Sequence, residues 1–217
     1  MRRILCYGDS NTWGYIAGTG ERYPENVRWT GVVQRELGAE YAVIEEGLNA
    51  RTSVYDHPRA IGRKGSDYLV PCLITHKPLD LVVMMLGTND LQWTDAYGAA
   101  EGSRMLVKMI KHYSYFEESS WIFADGMGKS RILLVAPIRV HPIADEIDPI
   151  KRRHNYVKES ELFSELYEKV ARETGCSFLD AAEYAEPSTV DALHMTRESH
   201  ERLGVAIAQK IREIFAE

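Results

Sequence analysis

The sequence predicts an α/β fold: a three-layer α/β/α sandwich built on a five-stranded parallel sheet with flavodoxin-like strand order. Two observations lead there. Short apolar runs near positions 4–7, 41–46, 79–86, 132–138 and 177–180 alternate with longer stretches of helical periodicity. Three of those runs stop at polar turns of small residues, Gly8-Asp9-Ser10-Asn11, Gly47-Leu48-Asn49-Ala50 and Gly87-Thr88-Asn89-Asp90. In an open parallel sheet such turns share one edge, beyond the carboxyl ends of the strands, which is where ligands bind.

A chain of 217 residues suits one large domain, 1–217, and shows no repeat or linker. A net charge of −6 offers no basic surface to a phosphate backbone, so nucleic acid is not expected as a partner. The longest apolar runs, 79–86 and 132–138, fall far short of a bilayer span, and no membrane association is expected. Arg2-Arg3 is followed only by Ile4 and Leu5 before Cys6 and the polar turn. That leaves no room for a secretion signal, so a cytoplasmic location is expected. Cys6, Cys72 and Cys176 are odd in number and far apart, which fits reduced thiols better than a disulfide framework. The seven histidines (His57, His76, His112, His141, His154, His194 and His200) include no helical pair with an intervening acid, so neither zinc nor any other cofactor is expected.

Element by element, Ile4-Leu5-Cys6-Tyr7 reads as the first strand, and Gly8 lets the chain turn without a β-carbon clash. Residues 16–26 form a surface loop whose neighbours Trp13, Tyr15 and Tyr23 could wall a pocket. Thr30 is expected to cap a helix that carries Val32, Val33 and Leu37 and ends at Gly38. Strand 41–46 follows, and then a loop of Pro, Gly, Arg and Asp through Asp67. A helix over 68–76 is punctuated by Pro78. The run 79–86 is nearly continuous apolar sequence, as a central strand covered on both faces requires.

An exposed, hydrophilic helix is expected around 102–113, with Met105, Leu106, Met109 and Ile110 at helical spacing. Ser130-Arg131 leads into strand 132–138, and 139–148 reads as a mobile loop beside the site. A single amphipathic helix over 156–174 ends at Gly175, strand 177–180 completes the sheet, and a last helix spans 198–215.

Chemistry concentrates at the turns. Ser10 stands where a strand gives way to a helix, so amide N–H groups there are free to donate to an anion. His194 supplies an imidazole, whose ordinary pKa near ~6.5 suits taking and returning a proton. Asp191, three residues earlier, can reach the other ring nitrogen across a turn. Nucleophile, base and orienting acid are the parts an acyl-transfer site needs. Asn89 either joins them or satisfies backbone groups of its own turn.

Gly8-Asp9-Ser10-Asn11, Gly87-Thr88-Asn89-Asp90 and Asp191-Ala192-Leu193-His194 resemble, in order and spacing, the blocks of the GDSL or SGNH hydrolases. Arg28-Trp29-Thr30-Gly31 and Glu45-Glu46-Gly47-Leu48 are similar to the bacterial arylesterase and acyltransferase branch. The resemblance implies that Ser10 attacks an ester carbonyl while His194, steered by Asp191, acts as base and then acid. It also implies oxyanion donors at the Ser10 N–H, the Ala50 N–H and the Asn89 amide.

Two positions depart from the family pattern. Asn11 stands where the family name has leucine and, with Trp13 and Tyr15, is a candidate substrate contact. Ala50 stands where glycine is common, and it serves as a donor if the backbone does not need positive φ there. Gly47 is expected to serve its turn. The implied substrate is a small-molecule ester, aryl or acetyl, with acyl transfer to alcohols as a further outcome and homo-oligomerisation through 18–24 or 98–102. Two alternatives stay open: a carbohydrate acetylesterase of the same fold, and a non-catalytic module in which the turns hold an anion.

Overall fold

A computed structural model describes residues 1–57, 60–113 and 131–216. Its strands are β1 (Arg2–Gly8), β2 (Tyr41–Gly47), β3 (Leu81–Met85), β4 (Ile132–Ala136) and β5 (Ser177–Asp180), all paired in parallel in the order β2-β1-β3-β4-β5. This is the flavodoxin-like order expected from the strand–helix alternation. The register aligns Gly8 with Gly47 on one side and with Met85 on the other. Three strands therefore end level, and the three polar turns leave from one edge.

The helices are α1 (Ser10–Trp13), α2 (Trp29–Leu37), α3 (Gly65–His76), α4 (Ala96–Tyr113), α5 (Ala144–Ile147), α6 (Pro149–Arg153), α7 (Tyr156–Glu161), α8 (Phe163–Thr174) and α9 (Arg197–Ala216), with a 3₁₀ turn at Thr88–Gln92. Side chains alternate across each strand. Leu5, Tyr7, Val82, Met84 and Leu134 pack with Leu69, Leu106, Ile110 and Tyr167 of α3, α4 and α8. Ile4, Cys6, Leu81, Val83 and Leu133 pack with Trp29, Val33, Leu203 and Ile207 of α2 and α9. Both faces of β3 are fully buried, which is why its sequence is unbroken apolar.

Several elements differ from their sequence expectation. Thr30 lies inside α2, which Arg28 precedes, and its hydroxyl donates to the Glu45 carboxylate. The helix expected over 102–113 begins at Ala96, so 98–102 is helical, not a loop, and Met105 is the residue of its series that faces solvent. The stretch 156–174 is two helices meeting at Leu162. Residues 139–148 carry α5, bury Val140 and Ala144, and are tied down where the His141 N–H donates to the Ala192 carbonyl. Pro58 and Arg59 of the loop before α3, and Ser130 ahead of β4, lie outside the described residues. Among the described residues no helix is long and apolar enough to cross a membrane.

Candidate active site

The absence of a side chain at two positions brings the first two turns together. A β-carbon on Gly8 would overlap the Thr12 side chain and sit 2.9 Å from the Met85 carbonyl oxygen. One on Gly47 would overlap the Thr12 and Trp13 backbone, so this glycine serves the approach of β2 to α1 and not the turn beyond it. After Gly8, the Asp9 carboxylate accepts the Asn11 N–H at 2.9 Å and caps α1, leaving Ser10 as its first residue. Burial pushes the Asp9 carboxyl up to about 6, against the opposing pull of that N–H.

The second and third turns are cross-braced. The buried Arg51 guanidinium donates to the Gly8 carbonyl at 2.9 Å and also to the Glu46 carbonyl, while the Asn89 amide donates to the Arg51 carbonyl at 3.0 Å. Asp90, fully buried, accepts from the Ser53 N–H and hydroxyl, both at 2.9 Å, through one oxygen. Its other oxygen is buried without a partner among the described residues, and burial pushes the carboxyl up to about 7. Ala50 sits at φ 61°, the left-handed region where a β-carbon is strained, and its N–H meets no protein acceptor among the described residues. The backbone thus does adopt positive φ at Ala50, against the sequence expectation, and alanine takes that angle with its N–H kept as a potential donor.

The loop ahead of α9 delivers the imidazole. One Asp191 oxygen accepts the Leu193 and His194 N–H groups at 3.1 and 3.0 Å, and the other meets His194 Nδ1 at 2.6 Å. Burial raises the Asp191 pKa, but these hydrogen bonds outweigh it and hold the carboxyl below the ordinary range. His194 Nε2 lies 2.9 Å from Ser10 Oγ. The Tyr15 ring lies over the imidazole, centroids 4.2 Å apart and planes at 32°.

Asn11, expected as a substrate contact, lines the cleft and has a second occupation. Its amide donates to the Leu193 carbonyl at 3.1 Å and accepts the Met195 N–H at 2.9 Å, holding the chain on both sides of His194. Trp13 turns toward Tyr15 and Arg22 and is not part of the cleft wall. The cleft itself, about 240 Å³, is lined by Ser10, Tyr15, Ala50, Asn89 and His194 among others.

His200 is excluded as the working base. It is fully buried, accepts the Trp29 N–H at Nδ1, and is pushed down to about 3 by burial. Arg51, Ser53 and Asp90 went unread in the sequence because a buried arginine or aspartate has no local signature; only the fold shows that their partners are carbonyls and N–H groups of other turns. Outside the cleft, Glu46, Cys72 and His76 bring potential metal-ligand atoms within 4.8 Å of one another. A strand carboxylate opposite a helical Cys-x₃-His leaves no local spacing in the sequence, because its ligands come from two elements.

Against known proteins, residues 6–202 match the model of the GDSL-like lipase/acylhydrolase family. The chain belongs to the GDSL-like lipase/acylhydrolase family. With that membership it is a carboxylic-ester hydrolase, and its five-stranded sheet is the GDSL fold. Among solved structures, this GDSL family member is similar to an aryl esterase of M. smegmatis, at 34% identity and TM-score 0.84 over 99% of this chain and 100% of that one. It is similar also to Est24, a carbohydrate acetylesterase from Sinorhizobium meliloti, at 34% identity and TM-score 0.85 over 99% and 100%. A carbohydrate acetylesterase family member from the same organism aligns at 33% identity and TM-score 0.90 over the whole of both chains. No curated protein matches the chain.

Proposed function

We propose that this GDSL-family enzyme is a serine esterase for small aryl or acetyl esters, working through Ser10, His194 and Asp191. The observation that carries the reading is the continuous hydrogen-bonded chain from Ser10 Oγ through the imidazole to Asp191, with contacts of 2.9 and 2.6 Å. Simple anion capture needs neither a base nor its orienting acid, which weighs against the non-catalytic module.

In this reading His194 Nε2 takes the Ser10 proton as Oγ attacks the ester carbonyl, and Nδ1–H remains donated to Asp191. The developing oxyanion is received by the N–H groups of Ser10 and Ala50 and by the second N–H of the Asn89 amide, whose first is held by Arg51. His194 returns the proton to the leaving alcohol or phenol. Water then enters, gives its proton to the same nitrogen, and releases the acid from Ser10. An alcohol in place of that water gives acyl transfer. A cleft of about 240 Å³ suits a short acyl group.

The test is labelling with a fluorophosphonate, followed by rates on aryl acetates and acetylated sugars with and without added alcohol. Stoichiometric loss of activity with the label on Ser10 supports the reading, and an unlabelled Ser10 or a Ser10→Ala variant of full activity overturns it. A second reading, a carbohydrate acetylesterase, is favoured by the likeness to Est24 and by Tyr15 at the cleft. Preference for acetylated sugars over aryl acetates would establish it. Cytoplasmic location and self-association complete the proposal; light scattering on the purified chain reads the latter.

A further inference from the structure

We propose that Glu46, Cys72 and His76, none of which lines the cleft, bind a single divalent transition-metal ion of the zinc class, independent of the proposed reaction. Cys72 and His76 stand four residues apart on α3, so they present ligands on one helix face. Glu46 meets them from β2. Its neighbour Glu45 points to the opposite face of the sheet, where it pairs with Arg28 at 2.9 Å, and strand alternation puts Glu46 on the α3 side.

The geometry is close to a coordination shell. Glu46 Oε1 lies 2.7 Å from His76 Nε2, and one ligand atom from each of the three residues falls within 4.8 Å of the others. Metal–ligand bonds of about 2.0–2.3 Å set tetrahedral ligand–ligand edges of roughly 3.3–3.8 Å, so side-chain rotation of about 1 Å closes the site. Burial and, after it, the nearby Glu46 charge push the Cys72 thiol up, so a proton-bearing group already faces that carboxylate beside His76. An ion at the centre of the three takes the place of that proton.

The ligand types choose the ion. One sulfur, one imidazole nitrogen and one carboxylate oxygen suit zinc or cobalt and not the all-oxygen preference of calcium or magnesium. Cys72 is fully buried, while the His76 and Glu46 side chains keep 24% and 19% of their exposure. The ion therefore has a path in and an open fourth position for water. Two guanidinium groups lie nearby, Arg51 over the Tyr7 and Tyr68 rings and Arg3 donating to the His76 carbonyl at 3.1 Å. The Glu46 carboxylate and a metal-bound Cys72 thiolate offset those two positive charges.

The experiment is titration of the chelator-dialysed full chain with cobalt(II), read by absorbance, alongside melting temperature with and without zinc. We expect one equivalent of cobalt to produce a thiolate-to-cobalt charge-transfer band with strong visible bands. Cys72→Ser should abolish the charge-transfer band, and His76→Gln should weaken apparent affinity at least tenfold with the band retained. The melting temperature should rise with zinc in the wild type and not in Cys72→Ser. Absence of the band, or a band that persists in Cys72→Ser, overturns the site, and if that variant does not fold, unchanged affinity in His76→Gln does so. None of these readouts depends on ester turnover.

Discussion

Asn11 holds the backbone on either side of His194. Its amide donates to the Leu193 carbonyl and accepts the Met195 N–H, while Asp9 caps the helix on which it stands. One side chain on the helix that begins at Ser10 thereby fixes where the His194 imidazole stands relative to Ser10. Replacing it with leucine, the residue of the family name, keeps the bulk but strands two backbone groups. We expect Asn11→Leu to destabilise by about 1–3 kcal/mol in urea unfolding and to lower kcat more than it raises KM, because the chain that carries His194 loses its anchor on both sides.

If the proposed roles hold, the residues of the cleft differ in cost by orders of magnitude. Ser10→Ala should lose ~10⁶ in turnover, Asp191→Asn ~10⁴ and Asn89→Ala ~10²–10³. Steady-state kinetics on one aryl acetate checks the ranking. Equal losses at Ser10 and Asn89 would contradict it.

Tyr15 lies over the imidazole face, where an aromatic ring favours the positively charged form by about 0.5–2 kcal/mol. In the proposed reaction that form exists when His194 holds the serine proton. Tyr15→Leu should lower kcat roughly 3- to 30-fold, measured by steady-state kinetics. Tyr15→Phe should leave kcat unchanged, since the ring and not the hydroxyl makes the contact.

Ala50 carries a β-carbon at φ 61°, in a region that costs an L-residue roughly 1–2 kcal/mol. Glycine there relieves the strain, offset by its greater freedom in the unfolded chain. We expect Ala50→Gly to stabilise by about 1 kcal/mol in denaturant unfolding, with the N–H retained and turnover changed little.

Asp90 gives a pH dependence whose sign follows from its shift. Its folded pKa, pushed up to about 7, lies above the unfolded value of 3.8, so the folded chain binds the extra proton. That contribution is fully present below about pH 4 and is lost as pH rises through 7. Asp90→Asn keeps an oxygen for Ser53 and removes the buried charge. Relative to wild type, the variant should gain stability by up to about 1.4 kcal/mol per pH unit between pH 4 and 7, measured by urea unfolding across that range. A constant difference would show that Asp90 does not take up the proton.

Much of this protein was legible in its residues alone. Apolar runs ending in small polar turns specify buried parallel strands, and strand alternation with helices specifies their order, because both signals are local and periodic. Ser10 and Asn89 could be named since each falls beside such a boundary, and Asp191 and His194 since an acid three residues before a histidine can reach its ring across a turn. Thr30 misled as a cap because a threonine hydroxyl serves equally well inside a helix once a carboxylate from β2 is packed beside it.

What tertiary structure alone decided is which partner each side chain meets. Asn11 faces the His194 backbone from the other end of the chain, Arg51 reaches two carbonyls across the sheet edge, and Glu46 meets Cys72 and His76 from a different element. The backbone angle of Ala50 belongs to the same class, imposed by the turn that must pass beside Gly8 and Asn89. Local periodicity records which way a side chain points. It holds no record of what lies there, since contacts between distant segments form only when the packed layers bring them together.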